Sequence, residues 1–539
     1  MMRKLLLPLA LTSVFAVAGC PGDEPAPDDA GVVDDGYLVH FPDGFRYGTA
    51  ISQWQTEGDY SPAGPVDSNW SRWASMGRTE HGQLNPRGSG FYTVYAEDIA
   101  RAKDLGLDTF RLGVDWSRIE PERDVFDEAE VDHLVDVLAE IQAQGMEPVL
   151  TFWHWTVPTW VQNPEDGTDL IADVDSDVVD EFDAFVRHLL PRVKGHVDTY
   201  TVLNEPFSMI SAGYVGGVFP PGHLLDIDGA IDFGLNLAFM HARAYDAIKE
   251  LDDEDATGDG VDSFVGLTMT ANAFYPETPS NEDEQFAAEQ ISYVFNNWFI
   301  NTLTTGDLDV NLDQRVDDMT TNPPEGAYPE LQDKLEFIGV QYYGPVVVRA
   351  DILFANLHPL YARPLLDVDD YDDERPHNGM GREISARGFR DTLDIYAPYG
   401  LPIILTENGT TRNGIPVEDE ENDTWQDVIL DGQGPMFLVE HLYEVGKAIE
   451  DGIDIRGYYH WTLTDNFEWV EGEKQRFGAY AVDFDNDNLP RTLSTVGQCL
   501  ADIVEAQGIT DEIWDAYVLD AYPTDARDEA GLTVSTPPQ

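Results

Sequence analysis

Cysteine is almost absent from this chain. Only two of the 539 residues are cysteine, Cys20 and Cys499, so a framework of disulfides cannot hold the fold together. The same scarcity excludes Cys-rich zinc and iron–sulfur sites. Stability must therefore come from a hydrophobic core, and a hydrophobic fraction of 42% supplies enough material for a large one.

Positive charge is also scarce. The sequence has 31 Lys and Arg against 101 Asp and Glu, a formal net charge of −70. Nucleic acid is excluded as a partner because its binding depends on neutralising phosphates with basic side chains. The charge also opposes docking on anionic lipid headgroups. Salt screens the self-repulsion of so acidic a protein, which favours a saline habitat, although an acidic exported protein of any habitat would have a similar composition.

The N-terminus has no apolar run long enough to be a permanent membrane span. Two basic residues precede the apolar stretch 5–17, which is typical of a signal peptide over residues 1–20. Its ending, VAGC, resembles the bacterial lipobox, which implies cleavage and lipidation at Cys20. A simple secretory signal is the alternative. We therefore predict a lipid-anchored protein of the cell envelope, and Pro21 after the cysteine favours the outer membrane of a Gram-negative bacterium.

Composition divides the rest of the chain. Residues 21–39 are rich in Pro, Asp and Gly without periodicity, which predicts a disordered acidic tether. Residues 40–525 are predicted to form one catalytic domain, followed by a C-terminal tail at 526–539. The sequence gives no indication of the oligomeric state.

Short, nearly continuous apolar runs alternate with amphipathic helical patterns throughout the predicted domain. Such runs are typical of parallel strands covered on both faces, and eight alternations predict an α/β fold of the (β/α)8 TIM-barrel type. The predicted strands are 45–52, 109–115, 147–155, 198–205, 264–271, 337–344, 401–409 and 457–463. The predicted helices between and after them include 91–106, 131–145, 178–194, 231–251, 386–396 and 436–451.

Two connections, 272–335 and 346–381, are too long to be plain turns. Long connections on a barrel are usually functional rims or disordered insertions. The acidic run 367–374 within the second is most simply a solvated surface loop. A calcium site there is the less favoured alternative, because its spacing does not match an EF-hand.

Two glutamates follow or end predicted strands of this barrel. Glu205 ends the fourth strand and Glu407 lies at the end of the seventh. Catalytic residues of barrels lie at the carboxyl ends of strands, and hydrolysis of a glycosidic bond with retention requires two carboxyl groups, one as nucleophile and one as acid/base. The pair therefore predicts a retaining glycosidase, which needs no metal or organic cofactor.

The motifs around these glutamates are specific. The sequence resembles glycoside hydrolase family 1, the β-glucosidase and β-galactosidase family, from Phe41 to about Gly508. The motifs that carry the resemblance are FRYGTA at 45–50, FRL at 110–112, FWHW at 152–155, NEP at 204–206, ENG at 407–409, and HWTL at 460–463 through DNFEW at 465–469. This resemblance implies that Glu407 is the nucleophile and Glu205 the acid/base.

The resemblance also implies supporting roles. Arg111 and Tyr343 are expected beside the nucleophile, where a fixed cation would keep Glu407 ionised. Asn204 is expected to bind the sugar 2-hydroxyl. One departure is Gln341, which stands where the family usually has Asn; its extra methylene lies near the nucleophile but removes no catalytic group.

The resemblance further implies a pocket for the non-reducing sugar, the glycone. Its expected lining is aromatic and polar, and consists of Gln55, His154, Trp155, Trp461, Glu468, Trp469 and Phe477. For His154 a satisfied core histidine is the alternative. Glu468 would repel a 6-phosphate, and the Ser and Lys-x-Tyr typical of phosphoglycosidases are missing, which predicts unphosphorylated substrates.

We therefore predict an exo-acting retaining β-glycosidase whose partner is a β-linked glycoside or oligosaccharide. β-Glucosides are the preferred expectation, with β-galactosides or β-fucosides as further substrates. Two alternatives stay open at this stage: a non-catalytic carbohydrate-binding surface lipoprotein, and a transglycosylase that uses the same site.

Overall fold

The computed structural model describes residues 36–316, 321–349, 363–364, 377–413, 417–419, 424–426 and 432–519. The predicted signal peptide with Cys20, most of the tether, the C-terminal tail and the acidic run 367–374 lie outside the described residues. Those expectations stay predictions.

A closed barrel of eight parallel strands forms the centre of the protein. Each strand pairs with the next one along the chain, and the eighth pairs with the first. The strands are β1 (Arg46–Ile51), β2 (Thr109–Gly113), β3 (Glu147–Trp153), β4 (Thr199–Asn204), β5 (Phe264–Thr270), β6 (Phe337–Tyr342), β7 (Ile403–Asn408) and β8 (Ile455–Trp461). The predicted (β/α)8 barrel is confirmed, with all eight strands within three residues of their expected ends.

A helix follows each barrel strand before the next strand begins. These helices are α1 (Phe91–Asp104), α2 (Glu128–Ala143), α3 (Val178–Val193), α4 (Ile227–Leu251), α5 (Trp298–Thr305), α6 (Ala386–Tyr396), α7 (Gln433–Glu450) and α8 (Thr495–Ala506). Side chains cap several of their first turns: Asp127 accepts from the N–H of Ala129, and Ser385 from that of Gly388. Because Asp127 caps α2, this helix begins three residues before its predicted start.

The strands bury both faces, as their unbroken apolar character requires. Their outer faces join the helices in one large core, whereas a smaller cluster fills the barrel interior. Side chains from five strands and the segment after β8 form this interior cluster: Ala50, Val149, Phe337, Ile404, Tyr459, Trp461 and Phe477. The described interior of the barrel is therefore packed with side chains, as in other barrels of this type.

The connection 272–335 contains helices that its sequence pattern did not reveal. Glu282–Ser292 is α-helical, Tyr293–Asn297 forms a π-helical turn, and α5 continues from Trp298. The π-turn adds a residue to the helical repeat, so the apolar pattern loses its 3.6-residue period at that point. The described part of this connection therefore contributes helices to the outer layer of the barrel and is not a plain rim loop.

Short elements complete the described chain. Tyr37–His40 pairs antiparallel with Gly508–Thr510. The prediction of a disordered tether over residues 21–39 is therefore wrong for residues 37–39, because they gain the hydrogen bonds of a strand pair. The other short helices are Gln53–Glu57, Asn69–Ser75, Glu80–Gly82, Trp116–Ile119, Pro206–Met209, Ile210–Val215, Ala397–Tyr399, Trp469–Glu471, Asp511–Trp514 and Asp515–Leu519. The other short strands are Gln162–Asn163, Thr168–Asp169, Phe274–Pro276, Asp307–Leu308, Gly326–Ala327, Val346–Arg349, Arg363–Pro364, Val417–Asp419, Thr424–Gln426, Tyr480–Val482 and Arg491–Leu493. No helix among the described residues is both long and apolar enough to cross a membrane.

Carboxylates are buried around one arginine beside the first two strands. Arg118 lies 3.4 Å from Glu57, 3.6 Å from Asp115 and 3.8 Å from Glu130, and all four side chains are almost inaccessible. Burial, opposed by Arg118, raises the pKa of Glu57 to about 7. One cation cannot neutralise three carboxylates, so this cluster holds protons that the unfolded chain would release.

We expect the free energy of unfolding to fall as the pH rises from 6.5 to 8. Burial raises the pKa of Glu57 to about 7 and the pKa values of Glu205 and Glu468 to about 8. At any pH between the ordinary pKa of a glutamate and these raised values, the folded state binds more protons than the unfolded state. Buried histidines such as His241 and His460 have pKa values lowered to about 4, and their contribution is complete once the pH exceeds 6.5. Above pH 6.5 these three carboxyl groups therefore lower the free energy of unfolding, by on the order of 4 kcal/mol between pH 6.5 and 8.

Denaturant titrations at several pH values measure this slope. Glu57→Gln removes one of the titrating groups and should flatten the slope, whereas the same substitution at the exposed Glu122 should leave it unchanged. A free energy of unfolding that stays constant or rises between pH 6.5 and 8 would contradict the prediction.

Candidate active site

Glu205 lies where the chain leaves β4 at the carboxyl end of the barrel. Its backbone has φ +44°, in the left-handed region that a residue with a Cβ adopts only at a cost on the order of 1 kcal/mol. Its N–H donates to the carbonyl of Thr268 on β5, and Pro206 begins a short helix directly after it. The turn is therefore fixed from both sides, and it holds the Glu205 side chain at the mouth of the barrel.

The carboxyl group of Glu205 is buried with one hydrogen bond. Ser208 Oγ donates to Glu205 Oε2 at 2.7 Å, whereas Oε1 has no partner among the described residues. Burial and, second, the charge of Glu407 raise the pKa of Glu205 to about 8. Glu205 is therefore protonated at neutral pH, as a general acid must be.

Glu407 is the last residue but one of β7 and accepts hydrogen bonds from two donors. Arg111 Nη1 on β2 donates to Glu407 Oε1 at 2.5 Å, and the Tyr343 hydroxyl donates to Oε2 at 2.6 Å. Burial raises the pKa of Glu407, and Arg111, followed by Tyr343, opposes that rise. Because no cation of the described residues contacts Glu205, the proton of the pair lies on Glu205 and the negative charge on Glu407.

A hydrogen-bond network links the nucleophile side to the sugar-binding side. Arg111 Nη2 donates to Asn204 Oδ1 at 2.6 Å, and Gln341 Nε2 donates to the same oxygen at 2.9 Å. Asn204 Nδ2 in turn lies 3.0 Å from His154 Nε2. The two donors on Oδ1 fix the amide orientation of Asn204. Gln341, which stands where the family usually has Asn, therefore contacts Asn204.

His154 is not a satisfied core histidine. Its Nδ1 is buried and has no hydrogen-bond partner among the described residues, and Gln55 Oε1 is in the same condition. Burial, and then the charge of Arg111, hold the pKa of His154 well below its usual range, so the ring is neutral. Buried polar atoms without partners are costly unless a ligand satisfies them, and sugar hydroxyls would do so.

Aromatic rings and one carboxyl group complete the pocket. Gln55 Nε2 donates to Glu468 Oε2 at 3.0 Å, and Trp155 Nε1 donates to the carbonyl of Asn204 at 2.9 Å. Ring centroids are 4.6 Å apart for Trp155 and Trp469, 6.1 Å for His154 and Trp461, and 6.1 Å for Tyr343 and Phe477. The structure thus brings together every predicted site residue that it describes.

Three residues near the site were not predicted. Thr151 on β3 accepts from Arg111 Nε at 3.1 Å, Ser208 donates to Glu205, and Arg382 Cζ lies 5.5 Å from the centre of the Tyr343 ring. Ser208 could have been found from its position three residues after Glu205 on a helical turn. Nothing in the local sequence of Thr151 or Arg382 indicates their contacts, because both come from other parts of the chain.

One group of carboxylates among the described residues has the spacing of metal ligands, namely Asp198, Asp255 and Asp259. It lies before β4, at the end of the barrel opposite Glu205. Asp198 already accepts backbone N–H groups from Ala256 and Thr257, at 2.8 and 2.7 Å. The three side chains stabilise a turn and contribute nothing to the two glutamates.

The sequence model of the family described as glycosyl hydrolase family 1 matches residues 38–509, most of the chain. The chain belongs to glycosyl hydrolase family 1. It is therefore a retaining glycoside hydrolase, with the double displacement that is general to this family. The family membership therefore argues against the alternative of a non-catalytic, carbohydrate-binding protein.

Curated relatives and solved structures agree with this membership. A β-galactosidase of Sulfolobus acidocaldarius is 27% identical over 83% of this chain and 92% of its own length, and β-glucosidase A of Thermotoga maritima is 27% identical over 87% and 99%. The solved family 1 β-glucosidase of Thermotoga maritima superposes with a TM-score of 0.74 at 26% identity, covering 88% of this chain and all of that one. The same β-glucosidase in complex with glucoimidazole gives a TM-score of 0.73.

Proposed function

We propose that this glycosidase is an exo-acting β-glucosidase with Glu407 as nucleophile and Glu205 as acid/base. The observation that carries the proposal is the asymmetry of the two buried glutamates. Glu407 accepts hydrogen bonds from Arg111 and Tyr343, whereas the side chain of Glu205 accepts one, from the Ser208 hydroxyl, among the residues that the structure describes. Environments that push two pKa values apart are the mark of an acid and a nucleophile.

The roles follow from charge and burial. In the first step Glu407 attacks the anomeric carbon while Glu205 gives its proton to the leaving oxygen, which forms a glycosyl-enzyme and an alcohol. In the second step Glu205, now ionised, takes a proton from water as that water attacks the same carbon. Arg111 stabilises the charge on Glu407 before attack and again as the glycosyl-enzyme breaks down.

The preference for β-glucosides rests on the pocket and on the relatives. Gln55, His154 and Glu468 present polar atoms for several hydroxyls of one sugar, beside the rings of Trp461 and Trp469. Relatives named β-glucosidase and β-galactosidase both occur among the similar proteins, so β-galactosides are expected as secondary substrates. A panel of nitrophenyl β-glycosides with cellobiose and lactose tests this, and a substrate class cleaved faster than β-glucosides would overturn it.

We expect phosphorylated substrates to be rejected. Gln475 and Phe477 stand where a binding Lys and Tyr would be needed. The carboxyl group of Glu468, whose Oε2 lies 3.0 Å from Gln55 Nε2 in the glycone pocket, offers a 6-phosphate no positive charge in either protonation state. Nitrophenyl β-glucoside should be cleaved at least about 100-fold faster than its 6-phosphate, measured as kcat/KM. Faster cleavage of the phosphate ester would contradict this.

We also propose that the enzyme is anchored in the cell envelope through lipidated Cys20. The basic start, the apolar stretch and the VAGC ending of residues 1–20 support this. Labelling with a fatty acid that enters lipoproteins, lost in Cys20→Ser, is the experiment that decides it.

A further inference from the structure

Arg382 stands at the mouth of the active site. Its guanidinium lies over the ring of Tyr343, with 5.5 Å from Cζ to the ring centre, and the hydroxyl of this tyrosine donates to Glu407. The Arg382 side chain is exposed, whereas Gln55 and His154 in the glycone pocket are buried. The cation is therefore at the rim and above the nucleophile, outside the part of the site that encloses the glycone.

The backbone that carries Arg382 is tied to the barrel. Asn378 Oδ1 accepts from the N–H groups of Met380 and Arg382, at 3.0 and 3.1 Å, and Asn378 Nδ2 donates to Thr410 Oγ1 at 3.1 Å. The N–H of Gly379 donates to the carbonyl of Asn413. Thr410 and Asn413 follow β7, the strand that bears Glu407, so the position of this loop is set relative to the nucleophile.

Arg382 forms no ion pair within 4.0 Å with any carboxylate that the structure describes, in a chain with 101 acidic and 31 basic residues. Its charge acts over a longer range on Glu205 and Glu468, where it lowers pKa values that burial raises. An arginine beside the catalytic residues that no described carboxylate neutralises by direct contact is available to an anionic group of a ligand.

We propose that Arg382 recognises an anionic group, a carboxylate or a sulfonate, on the leaving group of the substrate. This inference rests on the proposed β-glucosidase function. The leaving group departs next to Glu205 toward solvent, and Arg382 is exposed there. An anion on the glycone itself would instead lie among Gln55, the neutral ring of His154 and the carboxyl group of Glu468, and none of these three groups offers it a positive charge. The recognition also offsets the repulsion that a protein of net charge −70 exerts on an anionic substrate.

A pair of aryl β-glucosides tests the proposal. The 3-carboxyphenyl and 3-carbamoylphenyl glucosides have nearly the same shape and differ in charge. We expect Arg382→Gln to lower the ratio of their kcat/KM values by about 10-fold relative to the wild type, and Arg382→Lys to retain part of the ratio. Arg387→Gln is the matched control, because Arg387 is an exposed arginine on α6 whose side chain is 87% accessible; its ratio should equal that of the wild type.

Further measurements separate the alternatives. The proposal is overturned if the kcat/KM ratio of the two glucosides is the same in the wild type and in Arg382→Gln. This holds even if the alkaline limb of the pH–activity profile moves to higher pH in the variant, because Arg382 would then act only through the pKa of Glu205. Faster cleavage of nitrophenyl β-glucuronide than of the β-glucoside also overturns it, since the anion would then be on the glycone. Wild-type cleavage of nitrophenyl β-glucoside reports separately on the proposed function, and a 3-sulfophenyl glucoside distinguishes sulfonate from carboxylate recognition.

Discussion

Glu407→Gly should lower kcat for nitrophenyl β-glucoside by about 10⁴-fold or more, because no other group described in the site can form the glycosyl-enzyme. The missing side chain leaves space next to the anomeric carbon. Azide in that space should attack the carbon directly and restore part of the turnover.

The configuration of the azide product decides the assignment. A single displacement inverts the β-glucoside, so the product in Glu407→Gly should be the α-glucosyl azide. Nuclear magnetic resonance of the isolated product measures this. A β-azide, or turnover equal to that of the wild type, would show that Glu407 is not the nucleophile. Near-ultraviolet circular dichroism should show a folded variant, although Arg111 loses its buried partner and stability falls.

Glu205→Ala should have an effect that depends on the leaving group. Protonation by a general acid contributes about 10²–10⁴-fold, and it is needed most when the leaving alcohol is a poor one. For alkyl glucosides and cellobiose, kcat/KM should therefore fall by about that factor, whereas the value for dinitrophenyl glucoside should fall much less. A plot of log kcat/KM against leaving-group pKa should be steeper for the variant than for the wild type.

Azide again gives an independent readout on Glu205. In Glu205→Ala the glycosyl-enzyme on Glu407 still forms from dinitrophenyl glucoside, but no base remains to activate water. Azide needs no base, and a second inversion should give the β-glucosyl azide, opposite to the product of Glu407→Gly. Equal losses of kcat/KM for good and poor leaving groups, or an α-azide, would remove Glu205 from the acid/base role.

These two experiments probe one electrostatic arrangement. Arg111 contacts Glu407 and Asn204 together, so the group that stabilises the charged nucleophile also orients the residue expected at the 2-hydroxyl. Sequence motifs place Glu407, Arg111 and Asn204 on three different strands. Their meeting depends on the closure of the barrel, which brings the carboxyl ends of β2, β4 and β7 to one edge.

The amino-acid sequence by itself determined the eight strands, the barrel and the two glutamates. Strands covered on both faces must be apolar throughout, so their positions are visible in the sequence, and Glu205 and Glu407 lie in short motifs at or near the ends of two of them. The helix before α5 was missed, because a π-turn at Tyr293–Asn297 interrupts the period on which its recognition depends.

Only the tertiary structure decided which charges and polar groups surround the glutamates. The proton lies on Glu205 because Arg111 and Tyr343, from β2 and the end of β6, both contact Glu407, and burial removes the water that would equalise the two groups. Arg382 reaches the same mouth from a loop that neither motif nor periodicity marks. Local pattern reflects backbone pairing and burial, whereas pKa values and specificity depend on distances between side chains that are far apart in the chain.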